Sequence, residues 1–136
     1  NFRLIATGNF HSAYTTNELN DAILQRFSQI KIGYPSKENT IDIILARAPG
    51  LDYGTAELIS GVTQEMRSEA RKFSKDLGLK GPVEVAQRVV SGTEIPLRSL
   101  FEESVVNPIT TYEDNESGTN GRLHSKLVSV LDKYGV

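Results

Sequence analysis

Two places in this 136-residue sequence carry side chains suited to phosphate chemistry. The first is Thr7-Gly8-Asn9, where the apolar run Phe2-Arg3-Leu4-Ile5-Ala6-Thr7 gives way to a turn. Ligands of open α/β sheets bind beyond the carboxyl ends of the strands, so an amide at Asn9 can reach a phosphate or orient a water. Gly-Asn is equally a common turn element, and that plainer reading stands beside the first. The second place is Arg26, which precedes Phe27 at the end of an amphipathic stretch. A guanidinium fixed on a rigid element offers a planar fork to phosphate oxygens, including those of a nucleotide on a neighbouring subunit. It also suits a helix C-terminus through the dipole alone.

Composition narrows the remaining chemistry. There is no cysteine, which excludes a disulfide scaffold, a thiol nucleophile and thiolate metal sites. The two histidines are far apart; His11 reads as a surface-loop residue, with a substrate or metal contact as the other reading, and His124 as an interface or surface residue rather than a ligand. Fifteen basic and 17 acidic residues give a net charge of −2 with both signs mixed, so general nucleic-acid binding is not expected. No apolar run approaches the ~20 residues of a membrane span, and no signal-peptide pattern opens the chain; a soluble, cytoplasmic protein is the expectation. The opening residues read as an interior segment of something longer.

The elements that must position these residues follow from periodicity. Residues 2–7 read as a strand buried on both faces. Leu19, Ile23, Leu24 and Phe27 recur at helical spacing, and Gln29-Ile30-Lys31-Ile32-Gly33 alternates as a second strand that Pro35 stops. Beyond Pro35 every apolar pattern is helical. Ser36 caps a helix with Ile41, Ile44, Leu45 and Ala48 on one face; Ile59, Val62, Met66, Ala70, Phe73 and Leu77 predict a long helix that ends at Gly78. Arg67, Arg71 and Lys75 fall on one side of it as a solvated stripe. Pro82 opens a helix through Val90, and Pro96 opens one through Val106 that Asn107-Pro108 should stop. An acidic, turn-rich loop over 113–121 leads to a last helix bearing Leu123, Leu127, Val130, Leu131 and Tyr134. The expected fold is thus an α/β portion over 1–35 followed by an all-α portion over 36–136 with four to five helices.

Together, Phe2-Arg3-Leu4-Ile5-Ala6-Thr7-Gly8-Asn9, Glu18-Leu19-Asn20-Asp21-Ala22-Ile23-Leu24-Gln25-Arg26-Phe27 and Ile30-Lys31-Ile32-Gly33-Tyr34-Pro35 resemble the distal half of an AAA+ ATPase core. The likeness is greatest to the MoxR-like branch, in particular the CbbQ, NorQ and CobS group, and it extends more weakly through 83–111. It implies that residues 1–35 are the last two strands of a P-loop-type parallel sheet and that 36–136 form a helical lid. It further implies that Asn9 is sensor 1, that Arg26 is the arginine finger and that Thr7 lies beside the nucleotide. The lid cation, sensor 2, would be Lys80 or Arg88. The cofactors implied are ATP and Mg2+. The partners are further copies in a ring, commonly a hexamer, and a protein substrate or von Willebrand A-domain protein, often in metal-centre insertion.

The sequence also departs from the family. No G-x-x-x-x-G-K-[ST] and no paired acids of a Walker B strand occur, and Gln25 stands where the family has an aspartate. The fragment alone is therefore not expected to hydrolyse nucleotide. Two other readings remain: a catalytically silent helical interaction module of the same ancestry, and a restriction-type motor that translocates nucleic acid.

Overall fold

The structure, a computed structural model, describes Ile5, Arg26, Ser28, Ile30 and residues 32–110 and 119–136, the last range without the side chains of 119 and 120. The chain divides into two units, Asn1–Gly33 and Tyr34–Val136.

In the first unit the expected sheet is not seen. Among the described residues of the whole chain there is no strand; Ile30, Ile32 and Gly33 are irregular, and Arg26 lies in a turn. Ile5 is 89% exposed, against a first strand buried on both faces, and Ile30 and Ile32 are 86% and 90% exposed, against an alternating second strand with its apolar side covered. A strand holds only when neighbouring strands take up its backbone hydrogen bonds and cover its side chains, and alternation in one short segment supplies neither. The architecture is all-helical where it is described, and the last two strands of a parallel sheet are no part of it. Thr7, Asn9, His11 and the helical pattern around Leu19 lie outside the described residues.

Among its described residues the second unit is a bundle of five helical stretches, the fourth of which joins two α-helices through a π turn. Helix α1 (Lys37–Arg47) starts at Ser36, whose hydroxyl accepts the Asn39 N–H at 3.2 Å. Helix α2 (Tyr53–Arg71) starts at Asp52, whose carboxylate accepts the Thr55 N–H at 2.9 Å and the Thr55 hydroxyl at 2.6 Å. Its apolar side carries Ala56, Ile59, Val62, Met66 and Ala70, all fully buried at the three-and-four spacing of a helix.

Helix α2 stops earlier than its periodicity predicts. The Ser74 N–H donates to the Arg71 carbonyl and the Lys75 N–H to the Ala70 carbonyl, with Ser74 at φ 55. This is the Schellman arrangement with serine in the left-handed position that usually holds glycine. The chain therefore turns back before Leu77, which is buried from an irregular segment rather than from the helix face.

Helix α3 (Lys80–Val90) follows, with Pro82 in its first turn and Gly92 at φ 75 beyond its end. The next segment differs from expectation. Helix α4 (Leu97–Phe101) runs into a π turn (Glu102–Val106) and on into α5 (Asn107–Thr110), so Asn107-Pro108 does not end it. Pro108 has no N–H for the carbonyl four residues back, and the wider turn, in which the Asn107 N–H donates to the Glu102 carbonyl, absorbs that loss. Helix α6 (Thr119–Tyr134) closes the bundle, with Leu123, Leu127, Val130 and Leu131 buried.

Helix α2 is the central element and packs against α1, α3 and α6; α3 also packs on α1, α4 and the π turn. Phe101, Ile44, Ile59, Met66, Leu100, Leu123, Leu127 and Leu131 are the largest fully buried side chains. At about 1.5–3 kcal/mol for each fully buried large apolar side chain, this continuous core is the main stabilising term.

Candidate functional site

Of the residues that sequence reading selects for chemistry, Thr7 and Asn9 lie outside the described residues, and Arg26 is an exposed turn residue in the first unit. The two lid candidates separate clearly. Arg88, in the last turn of α3, donates from Nη1 to Glu103 Oε2 at 2.8 Å and so spends its charge on the π turn. Lys80 is the exposed first residue of α3 and forms no ion pair among the described residues. It borders a cavity of about 250 Å3 together with Leu77, Gly81, Glu103 and Ser104. The backbone is close-packed there: a Cβ on Gly81 would collide with the Ser104 carbonyl, and the Ser104 hydroxyl is buried without a partner among the described residues. His124 is exposed on α6.

The most distinctive electrostatic feature lies elsewhere, on the polar edge of α2. The stripe Arg67-Arg71-Lys75 is not a solvated face. Arg67 is only 5% exposed, and Lys75 lies past the end of the helix. The Arg67 Nε–H donates to the Leu77 carbonyl at 2.9 Å, so the turned-back segment after Ser74 supplies its acceptor. Its guanidinium carbon sits 4.1 Å from the centre of the Tyr34 ring, and that of Arg71 sits 4.9 Å from the same centre. Tyr34 is thus a shared π surface for two cations.

Neither guanidinium has a carboxylate partner among the described residues, and Arg67 Nη2 is buried with no hydrogen bond. Burial pushes the Arg67 pKa down, the Tyr34 phenol opposes that and the Arg71 charge adds to it. The Tyr34 hydroxyl donates to Asp76 Oδ1 at 2.9 Å. Burial first, then that hydrogen bond and the Asp76 charge, raise the phenol above its ordinary value, against the pull of the two arginines. Tyr34, Pro35, Gln64, Arg67, Ser68 and Arg71 line a cavity of about 320 Å3. Its donors and paired positive charges suit an oxyanion.

One sequence signal could have located Arg67. It lies four residues after Thr63 and three before Ala70, both fully buried, so it falls within the buried arc of α2. Its partners Tyr34 and Leu77 are in irregular segments that no period reaches.

Among the described residues, no group of three or more His, Asp or Glu could hold a metal ion, and no helix is long and apolar enough to cross a membrane. No family model, no curated protein and no solved structure matches the chain.

Proposed function

We propose that this chain is the C-terminal part of a MoxR-like AAA+ ATPase, which in its intact form couples ATP hydrolysis to remodelling or activation of a partner protein. In this reading residues 36–136, which fall in the helical unit Tyr34–Val136, are the lid. The observation that carries the proposal is the sequence Phe2 to Asn9, Glu18 to Phe27 and Ile30 to Pro35, followed directly by a separate helical unit with its own core. Lys80 is the better lid cation of the two, because Arg88 is already paired with Glu103. Ring assembly and a von Willebrand A-domain or other protein partner belong to the same proposal.

The residues in hand do not fit ATP and Mg2+ as a complete site. The phosphate cradle and the acidic pair are missing from the sequence, and the described residues contain no metal-ligating cluster. In the proposed ATPase these groups would be held by segments outside this chain.

The test uses the natural protein with all of its upstream coding sequence. Arg26→Ala should abolish ATP turnover and leave nucleotide affinity largely intact. Lys80→Ala should weaken nucleotide binding, and Arg88→Ala should leave it unchanged. An unchanged turnover rate in Arg26→Ala removes Arg26 from the catalytic junction. A natural protein that lacks the P-loop along its whole length and neither binds nor hydrolyses ATP is instead the silent interaction module.

A further inference from the structure

The cavity beside Tyr34 has no part in the nucleotide reading, and its chemistry is unusually one-sided. Arg67 and Arg71 both line it, both stack on Tyr34, and neither is paired with a carboxylate among the described residues. A buried cation without a counter-ion is costly, and a buried donor without an acceptor adds to that cost. Among the described residues Arg67 has both features, since its Nη2 is buried and unpartnered there. The nearby acid, Asp76, accepts the Tyr34 hydroxyl and forms no ion pair with either arginine. Gln64 and Ser68 add an amide and a hydroxyl to the same wall, one turn of α2 apart.

We propose that this cavity binds a phosphoryl group, carried by a small molecule or as free phosphate, on the paired guanidinium groups of Arg67 and Arg71 with Gln64 and Ser68 as neutral donors. Two fixed cations match a phosphate that is close to a dianion at neutral pH. A single carboxylate would leave one cation uncompensated. Arginine forks and tetrahedral oxyanions are also geometrically matched, and the Tyr34 ring holds both forks in place before any ligand arrives. The cavity of about 320 Å3 is open to solvent, so an organic group can extend outward from a bound phosphate.

The experiment is calorimetric titration of the whole chain with orthophosphate, glycerol 3-phosphate and acetate at constant ionic strength. Arg71→Gln is the main variant, since Arg71 is exposed and its loss leaves the core intact. Arg67→Lys retains the charge and loses the fork. Arg47→Gln, an exposed arginine at the end of α1, is the control for net charge. Saturable phosphate binding is expected, weakened about tenfold or more by Arg71→Gln and by Arg67→Lys and unchanged by Arg47→Gln. Tighter binding of glycerol 3-phosphate than of orthophosphate identifies an organic phosphate as the ligand; equal affinities identify free phosphate. Absence of saturation, equal affinity for acetate, or equal weakening by Arg47→Gln would each overturn the proposal. None of these measurements involves ATP turnover, so the site stands or falls separately from the ATPase reading.

Discussion

Arg67 brings a full charge into a helix face that otherwise presents Ile59, Val62, Met66 and Ala70, and among the described residues the Tyr34 ring and the Leu77 carbonyl make that tolerable beside the open cavity. The phenol reports on this arrangement. Because the folded Tyr34 pKa is raised above 10.0, its contribution to stability is fully present below that pH and is lost as pH rises through the folded value. Asp76→Asn should lower the Tyr34 pKa and Arg71→Gln should raise it further. Phenolate absorbance, read as the difference from Tyr34→Phe, measures both shifts. Glycines allow a second check at single positions. Gly81→Ala should cost about 1–3 kcal/mol, since the new methyl meets the Ser104 backbone. Gly78→Ala, with open space around it, should be neutral or gain about 0.4–1 kcal/mol. Denaturant midpoints of the two variants should therefore move in opposite directions or differ clearly in size. Little of the Arg67 site was legible in the sequence. Spacing alone groups Arg67 with Arg71 and Lys75, but a turn at Ser74 decides which of them stays on the helix.

Helices were more legible than their ends. The cap at Ser36, the apolar face of α2 and the last helix are all written as periodic patterns, because a face that must meet a core repeats at 3.6 residues. Endings depend on backbone geometry that residue types specify weakly. Phe73 and Leu77 continue the α2 rhythm, yet the chain leaves the helix at a serine with positive φ. Replacing Ser74 by glycine should remove the left-handed penalty and stabilise the protein by up to about 1 kcal/mol, measured as a higher thermal midpoint. The π turn had a legible trace of its own. Leu100 and Phe101 are buried, and so are Val105 and Val106, five residues on. A repeat of five fits the wider turn better than an α-helix does. Reading Pro108 as a stop missed that a proline can be housed in a helix that has already widened.

For the molecule as a whole, the error in fold class came from the first 35 residues. Two short apolar runs look like strands, but a sheet is a property of several segments, and Ile30 and Ile32 are exposed. The helical unit is different, because its buried core runs from Ile41 to Leu131 through α1, α2, α3, α4, the π turn and α6. Residues 34–136 expressed alone should therefore show a helical circular dichroism spectrum and a single cooperative melting transition. Within it, Phe101→Ala should remove about 3–5 kcal/mol of a total near 5–15 kcal/mol, seen as a large fall in the denaturant midpoint. The last helix has a further significance. Helix α6 lies along α2, with Lys133 reaching both carboxylate oxygens of Glu65 at 2.7 and 2.8 Å, although 68 positions separate the two residues. During synthesis, then, α2 leaves the ribosome well before its cover does. Until Leu123, Leu127 and Leu131 emerge, the nascent bundle carries an oily seam that invites chaperones, and a message truncated after residue 110 would yield a chain prone to clump.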